Sequence, residues 1–347
     1  MKIKFNLPYL TPSELLKFIS IEPINKASKT GVFKLGQSVP LKHLSLWDFL
    51  RNIPSRYRDD QKYTTEYSSA ILSIANKLTS VGLLSPIPGK VGLFQEFQGN
   101  GYNAVLASYG YYEFLIYGFP FIIDHFKDAI RVIEVQDLKT KDYTVGTGFA
   151  ILIKPDRTFF VTAKHCLPKG NKINIRIFLP EKKFVSPMNI YVHPDENIDI
   201  ALLEFSKDDL ISDHFFQLES HQLLDDIVVA GYPSIPGSTD AILVASKGEI
   251  TAVAKTYLHK YEQIYVNANV KGGSSGSPII SSTGYALGII IESPRDTKNN
   301  DLQDELRFGT GLPSSLIEMI ADMIIAEDKS LKKLNFKNNA DGSFYMT

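Results

Sequence analysis

The chain has 347 residues, of which 37 are basic and 38 acidic, so its formal net charge is −1. This length allows about two domains with a real hydrophobic core, and the balanced charge gives the chain as a whole no attraction to nucleic acid or anionic membranes. The single cysteine, Cys166, excludes an internal disulfide and the usual cysteine-rich zinc site.

The N-terminus starts basic, but Asn6, Pro8 and Pro12 interrupt any apolar stretch, so we expect no signal peptide. The most apolar segment, residues 111–123, contains Glu113 and is shorter than the roughly 20 residues that a membrane-spanning helix needs. We therefore expect a soluble, cytoplasmic protein, because a reducing compartment suits a chain with one cysteine.

Residues 1–125 predict a mostly helical module. Thr11 and the proline after it predict the start of a first helix, and Ser45 predicts the cap of a second, short one. A third helix, over residues 65–80, has apolar residues at three- and four-residue spacing and a stop at Gly82.

Two interpretations of this module remain open. The end of the third helix, Gly82-Leu83-Leu84, with the basic turn at Lys90 resembles the end of a winged-helix recognition helix. In that case the module would bind nucleic acid and control the rest of the chain. The interpretation that we favour is a helical cap that packs on the next domain, as a regulatory or partner-binding module that does not bind nucleic acid.

The pattern changes at residue 126, where short apolar strands with regular turn signals begin. Many short strands and few helices predict a barrel or sandwich over residues 126–328. A closing helix is predicted over 314–326, and the polar residues 329–347 predict a flexible tail. The predicted strands are 129–135, 146–153, 158–162, 172–178, 184–192, 199–205, 227–230, 241–252, 261–268, 278–280 and 285–292.

Three residues in this region predict nucleophilic catalysis. His165 ends one apolar run, Asp199 begins another, and Ser275 lies in the glycine-rich stretch 272–278. A serine hydroxyl is a weak nucleophile that needs a base within hydrogen-bond reach and a carboxylate that fixes the tautomer of that base. We assign Ser275 as nucleophile, His165 as base and Asp199 as the orienting carboxylate.

Acyl transfer also needs donors for the oxyanion that forms in the transition state. The backbone N–H groups of Gly273 and Ser275 can supply them if the stretch turns back on itself. Gly273 and Gly276 permit such a turn because glycine adopts positive φ values without strain.

Other residues compete for two of these roles. Ser274 and Ser277 are alternative nucleophiles, but only Ser275 has glycine two residues before it, glycine directly after it and proline three residues after it. Asp195 is an alternative carboxylate. It follows a proline in a predicted loop, whereas Asp199 is predicted to lie in a strand.

These segments resemble the motifs of the trypsin-like (chymotrypsin-fold) serine peptidases. GSSGSP at 273–278 resembles their nucleophile motif, TAKHC at 162–166 their histidine motif and DIAL at 199–202 their aspartate motif. GTGF at 146–149 resembles their first barrel strand. The chain is similar to disulfide-free bacterial members such as the high-temperature-requirement proteases and the glutamyl endopeptidases. The resemblance covers residues 126–326 and implies a mainly β domain, a double six-stranded barrel with the triad between the barrels.

The resemblance also implies a specificity pocket. Asn269, six residues before Ser275, would lie near the base of the pocket. No acidic residue stands there, which argues against a preference for Lys or Arg and favours an apolar or small polar side chain. The residues implied for the walls are Ile289, Ile290, Ile291 and Gly309.

The sequence as a whole predicts an intracellular, regulated serine endopeptidase that acts on proteins or peptides. It implies no cofactor, no metal and no membrane partner, and a regulatory partner would act through residues 1–125. The alternative is a catalytically latent or inactive peptidase scaffold that serves as a binding module.

Overall fold

The computed structural model of the protein describes residues 11–29, 43–53, 61–98, 107, 111–137, 143–154, 157–167, 173–178, 184–206, 212–238, 240–255, 260–292, 308–338 and 344–346. The chain divides into two compact units, Met1–Phe121 and Ile122–Thr347. The sequence placed the boundary after residue 125, within four residues of this division.

The first unit combines helices with a small sheet. The sheet is antiparallel, in the order β1-β3-β2, and a 3-10 turn at Gly92–Phe94 lies between β2 and β3. Its helices are α1 (Pro12–Lys29), α2 (Leu46–Asn52), α3 (Gln61–Ser80) and α4 (Tyr111–Tyr117), and its strands are β1 (Leu44–Ser45), β2 (Ser85–Pro86) and β3 (Glu96–Gln98).

Local capping explains where these helices begin and end. Thr11 Oγ1 accepts the N–H of Glu14 at 3.1 Å, and Ser45 forms a reciprocal capping box with Asp48. Gly82 adopts a φ of +76° after α3. The three predicted helices are therefore confirmed, although α3 starts at Gln61 rather than at residue 65.

The apolar faces of α1, α2 and α3 meet in one core. Leu15, Leu46, Ile71, Ile74 and Leu78 are fully buried there. The spacing of the last three, at four- and three-residue intervals, keeps one side of α3 against the core and leaves the opposite side to solvent.

The apolar segment 111–123 forms two short helices. Gly118, with a φ of +69°, separates α4 from α5 (Phe119–Phe126). Within the described ranges, no helix is long and apolar enough to cross a membrane.

The second unit is mainly β and begins with a curved nine-stranded sheet. Its order is β18-β17-β9-β10-β6-β5-β4-β7-β8. The strands are β4 (Ile130–Asp137), β5 (Tyr143–Lys154), β6 (Arg157–Thr162), β7 (Ile173–Phe178), β8 (Phe184–Val185), β9 (Asn189–Val192), β10 (Ala201–Phe205), β17 (Lys332–Asn338) and β18 (Phe344–Met346).

A closed six-stranded barrel follows, in the order β11-β12-β13-β16-β15-β14. With the first sheet as a half-barrel, it confirms the predicted mainly β, double-barrel class. The barrel strands are β11 (Asp226–Gly231), β12 (Val244–Lys255), β13 (Glu262–Val266), β14 (Pro278–Ser281), β15 (Ala286–Glu292) and β16 (Gly309–Pro313), and the closing helix is α6 (Ser314–Ile325).

The structure corrects the prediction of a flexible tail over residues 329–347. Lys332–Asn338 forms β17, which pairs antiparallel with β9 from Lys332 opposite Val192 to Asn335 opposite Asn189. The segment is too polar to be recognised as a strand from an apolar pattern in the sequence. Its backbone groups hydrogen-bond to the otherwise unpaired edge of β9, and such pairing needs no continuous apolar run.

Two strand predictions are also wrong in part. The strand predicted over residues 184–192 is interrupted between β8 and β9, in the segment that contains Pro187, which cannot donate a ladder hydrogen bond. The strand predicted from residue 199 begins only at Ala201, so Asp199 lies just before β10.

Candidate active site

His165 lies in a 3-10 turn, Lys164–Cys166, directly after β6. Its ring nitrogen Nδ1 is 2.5 Å from Oδ2 of Asp199, and its backbone N–H donates to Oδ1 of the same carboxylate at 2.8 Å. One carboxylate thus holds both the ring and the main chain of His165, which leaves Nε2 as the nitrogen that can act as a base.

Strand pairing brings these two residues together. β10 runs antiparallel to β6 with Ala201 opposite Thr162, so the start of β10 lies beside the end of β6. The N–H of Lys164 also donates to the carbonyl of Asp199 at 3.3 Å. Asp199 therefore contacts His165 from the loop two residues before β10, and not from within the strand as the sequence predicted.

The hydrogen bond to Asp199 raises the pKa of His165 above its usual value of 6.5, and contact with Cys166 adds to the rise. Burial of the ring opposes the shift but is the weaker influence. Asp199 therefore stabilises the imidazolium, which is the form that His165 takes when it accepts a proton from a nucleophile.

Asp195, the alternative carboxylate, has a different role. Its Oδ1 accepts the backbone N–H of Asn197 at 3.0 Å, and its Oδ2 accepts the hydroxyl of Tyr261 at 3.2 Å. These contacts, led by the backbone N–H of Asn197, lower the pKa of Asp195. Asp195 closes a turn, and Asp199 is the carboxylate that contacts His165.

Ser275 lies close to the residue that follows His165. Its carbonyl accepts the N–H of Thr147 at 2.9 Å, and Cys166 Sγ lies 3.9 Å from the same carbonyl. A Cβ at Gly146 would approach Cys166 Sγ to 2.8 Å, so the glycine gives Cys166 the room to pack here. The structure thus brings all three predicted triad residues into one region of the second unit.

The hydroxyl of Ser275 is turned towards β15. It donates to the carbonyl of Ile291 at 3.0 Å, and among the described residues no hydrogen bond joins Ser275 to His165. Ser275 and His165, the predicted nucleophile and base, thus lack the direct hydrogen bond that proton transfer between them requires.

The two alternative nucleophiles are less accessible than Ser275. Ser274 is 5% exposed, and its hydroxyl oxygen accepts the N–H of Lys271 at 3.4 Å. Ser277 is fully buried, with no hydrogen-bond partner for its hydroxyl among the described residues. Ser275 is the half-buried serine of the three, which favours it as the one that a substrate can reach.

The backbone before Ser275, where the sequence predicts the oxyanion donors, forms a tight turn. Gly273 adopts a φ of +93°, and the N–H of Ser274 donates to the carbonyl of Lys271 at 2.9 Å, which closes a tight turn. Within the described part of the chain, neither the N–H of Gly273 nor that of Ser275 has a hydrogen-bond partner. Both donors are therefore free to receive a substrate oxygen.

Two contacts fix the peptide units on either side of Gly273. The carbonyl of Gly272 accepts the N–H of Ser234 at 3.0 Å, and the carbonyl of Gly273 accepts the hydroxyl of Thr147 at 3.0 Å. Because a trans peptide points its N–H away from its carbonyl, the contact with Ser234 also sets the direction of the Gly273 N–H.

Thr147 is a buried residue beside this turn that the sequence did not single out as part of the site. It is fully buried, and its hydroxyl accepts the N–H of Tyr232 at 2.9 Å while it donates to Gly273. Its carbonyl accepts the hydroxyl of Thr162 at 2.8 Å. The signal in the sequence is a hydroxyl residue between two glycines in an otherwise apolar strand, where a buried hydroxyl needs partners.

A cavity of about 490 Å³ lies behind the oxyanion turn. Asn269 lines it together with Lys271 and Ser274, and its other walls come from the segments 229–236 and 244–246. Asn269 also donates its backbone N–H to the hydroxyl of Ser246 at 2.8 Å. Asn269 thus lines a cavity of the second unit, and its role in a specificity pocket stays a prediction.

The other predicted pocket residues do not line this cavity. Ile289 and Ile290 are fully buried, and Ile290 belongs to the barrel core. Ile291 contributes the carbonyl that accepts the Ser275 hydroxyl, and a Cβ at Gly309 would meet the side chain of Val270 at 2.5 Å. Among the residues that the structure describes, no group of three His, Cys, Asp or Glu side chains is placed to hold a metal ion.

One protein-family model matches part of the chain. The family model of the trypsin-like peptidase domain matches residues 146–289, a segment that contains His165, Asp199 and Ser275. The resemblance to this family and the double-barrel fold are thereby confirmed. No curated protein matches the chain.

Several solved structures match part of the chain at low identity. AlgW, an HtrA-type protease solved with a tripeptide, is 17% identical with a TM-score of 0.46, and the match covers 59% of this chain and 63% of AlgW. The Rv3671c protease of M. tuberculosis in its active form is 20% identical with a TM-score of 0.43, covering 58% and 82%. A serine endoprotease from Yersinia pestis is 17% identical with a TM-score of 0.44, covering 59% and 66%. The chain spans less than two thirds of AlgW and of the Yersinia protease.

Proposed function

We propose that the trypsin-like peptidase domain of this chain is an active serine endopeptidase that hydrolyses peptide bonds through an acyl-enzyme intermediate. The proposal rests on the two hydrogen bonds that Asp199 forms with His165, one to the ring Nδ1 and one to the backbone N–H, beside Ser275. A carboxylate in this position has little structural purpose unless the imidazole must be held in one tautomer and one orientation.

Each residue has a defined step in this mechanism. Ser275 Oγ attacks the scissile carbonyl carbon while Nε2 of His165 takes the hydroxyl proton, and Asp199 stabilises the imidazolium that forms. The N–H groups of Gly273 and Ser275 donate to the oxyanion of the tetrahedral intermediate. His165 then gives its proton to the leaving amine, and water hydrolyses the acyl-enzyme by the same steps in reverse order.

The serine must first change its hydrogen-bond partner. Its hydroxyl donates to the carbonyl of Ile291, and a rotation of the Ser275 side chain would exchange this acceptor for Nε2 of His165. Catalytic hydrogen bonds are often long or misaligned before substrate binds, so the observed geometry is compatible with an active enzyme at rest.

The setting and partners are part of the same proposal. We place the enzyme in the cytoplasm, with protein or peptide substrates, no cofactor, and a regulatory role for the first unit. The free, buried thiol of Cys166 supports a reducing compartment.

A latent or inactive scaffold is the second candidate function. The contact between Ser275 and Ile291 favours it, because it occupies the proton that the base would have to take. In that case the domain would bind a peptide without cleaving it, or would wait for a trigger that releases the serine.

Labelling with a fluorophosphonate probe separates the two candidates. The wild-type protein is compared with Ser275→Ala and with Ser277→Ala, and the modified peptide is located by mass spectrometry. Adduct on Ser275 in the wild type and in Ser277→Ala, but not in Ser275→Ala, supports the active peptidase. A folded wild-type protein without adduct supports the latent scaffold, and adduct on another serine contradicts both.

A further inference from the structure

The first unit has the topology of a winged helix-turn-helix. A strand, β1, separates α1 from α2, the helices α2 and α3 follow one another, and the hairpin β2–β3 comes last. In this sheet β1 pairs with β3, so β3 is the central strand and β1 and β2 are the two edge strands. In this arrangement α3 takes the position of the recognition helix, and the residues between β2 and β3 form the wing.

A fold by itself does not establish a function. What α3 can bind therefore depends on the side chains of its outward face. Its inward side is the buried line of Tyr67, Ile71 and Leu78. The opposite side, by the 3.6-residue period, carries mainly short polar side chains after its first turn, with the exposed Glu66 in line with Ser73. The short polar residues are Thr65, Ser69, Ser73, Asn76 and Ser80, none of which is buried.

Short hydroxyl and amide side chains suit a helix that enters a nucleic-acid groove. They let the helix backbone approach closely, and they hydrogen-bond to base edges or phosphates. The helix has 20 residues and would be about 30 Å long, enough to cross a major groove that is roughly 12 Å wide.

The wing lies beside this helix. The 3-10 turn Gly92–Phe94 packs against α3, and Lys90 precedes it in the loop. The Lys90 side chain is 56% exposed and forms a surface ion pair with Glu96 at 2.6 Å. A phosphate would compete with Glu96 for this cation, because exposed ion pairs contribute little stability.

The charge of the unit agrees with such a partner. Residues 1–121 contain 13 basic and 8 acidic residues, a formal charge of +5, whereas residues 122–347 contain 24 basic and 30 acidic residues, a formal charge of −6. The near-zero charge of the whole chain, from which the sequence analysis argued against nucleic acid, is thus the sum of two opposite values.

We propose that the first unit binds duplex DNA, with the outward face of α3 in the major groove and the wing against the phosphate backbone. Binding has a large electrostatic component, because the cations of the unit displace condensed counterions from the duplex. This proposal does not depend on whether the second unit cleaves peptides.

Fluorescence anisotropy with a labelled duplex of mixed sequence tests the proposal on the full-length protein with Ser275→Ala, which removes any peptidase activity. We expect binding at low salt whose affinity falls steeply as sodium chloride is raised. We also expect Asn76→Glu on α3 and Lys90→Glu on the wing each to weaken binding about tenfold or more.

Lys17→Glu on α1 is the matched control. It makes the same charge change as Lys90→Glu and breaks a surface ion pair of the same kind, Lys17 with Glu14 at 3.0 Å, but on another element of the unit. Little change in Lys17→Glu beside large losses in the other two variants supports the assigned face. Equal losses in all three, binding that is insensitive to salt, or no binding at low salt overturns the proposal. So does self-association through the exposed Trp47 and Phe94 without DNA binding.

Discussion

A small number of contacts determines the orientation and the pKa of the His165 ring. Its side chain is half-exposed, and the hydrogen bond to Asp199 raises its pKa above 6.5 against the opposing effect of partial burial. A base must be neutral to accept a proton. The raised pKa therefore moves the onset of activity to higher pH.

Asp199→Asn tests this dependence. The amide neither fixes the tautomer nor stabilises the imidazolium, so we expect the rate of Ser275 labelling to fall by roughly 10⁴-fold at its plateau. The pKa of His165 loses its upward shift, so the midpoint of the remaining pH profile moves to lower pH. Labelling rates measured across the pH range check both effects, and an unchanged midpoint would contradict the assignment of Asp199.

We predict that Thr147, a residue outside the proposed triad, affects the rate of the proposed reaction. Its hydroxyl joins two loops of the second unit, at Tyr232 and at Gly273, and so fixes the carbonyl next to an oxyanion donor. It touches no substrate atom in the proposed mechanism, so it is a positioning residue. Its effect should appear in the rate of reaction at Ser275 more than in stability.

Thr147→Val removes the hydroxyl and keeps the shape. We expect labelling of Ser275 to slow by about 10²-fold, the lower end of what the loss of one oxyanion donor costs. Thr147→Ser keeps the hydroxyl and should restore most of the rate. Crystal structures of both variants would show whether the peptide units around Gly273 turn only in the valine protein. A valine variant that labels at the wild-type rate would contradict this role.

At the scale of elements, the turn from Lys271 to Pro278 holds its shape through two glycines with positive φ. Gly276 has a φ of +90°, and a Cβ there would lie 1.9 Å from the carbonyl oxygen of Thr147. Gly272, in the same turn, would meet nothing within 4 Å. A glycine-to-alanine substitution should therefore destabilise the fold at Gly276 but have little effect on stability at Gly272.

We expect Gly276→Ala to destabilise the second unit by more than about 3 kcal/mol, because backbone strain and a clash with a neighbouring main chain add. Gly272→Ala should stay within about 0.5 kcal/mol of the wild type, or be slightly stabilising, because alanine restricts the unfolded chain. Urea unfolding curves for the two variants decide the matter. Comparable losses in both would mean that the turn is not held against Thr147.

At the scale of the whole molecule, the chain has separate hydrophobic cores. Ile74 is fully buried in the core of the first unit, and Ile279 is fully buried in the barrel of the second. Each unit also has its own sheets, and each carries a formal charge of opposite sign. Units with separate cores are expected to unfold as separate cooperative blocks.

Calorimetry on the full-length protein tests this expectation with a matched pair, Ile74→Ala and Ile279→Ala. Each removes the same atoms from a fully buried site and should cost about 2–5 kcal/mol. We expect two thermal transitions, of which each variant lowers a different one. A single transition that both variants lower would show that the units unfold together.

Local sequence pattern was enough to identify many helices and strands and the residues of the candidate triad. The cap at Ser45, the periodicity of α3 and the alternation of β4 identify their elements because neighbouring residues fix them. The candidate triad was equally readable, since His165, Asp199 and Ser275 each sit in a short motif of characteristic composition. Charge summed over the chain did not reveal that the two units carry opposite formal charges.

Contacts between residues far apart in sequence depend on how the whole chain packs. The hydroxyl of Thr147 reaches Gly273, 126 residues away, and the hydroxyl of Ser275 reaches Ile291 rather than His165. The pairing of β17 with β9 and the order β1-β3-β2 are of the same kind. These contacts join backbone and hydroxyl groups, which are numerous in every protein. Packing of the whole chain selects among them, so no local pattern can mark the pairs in advance.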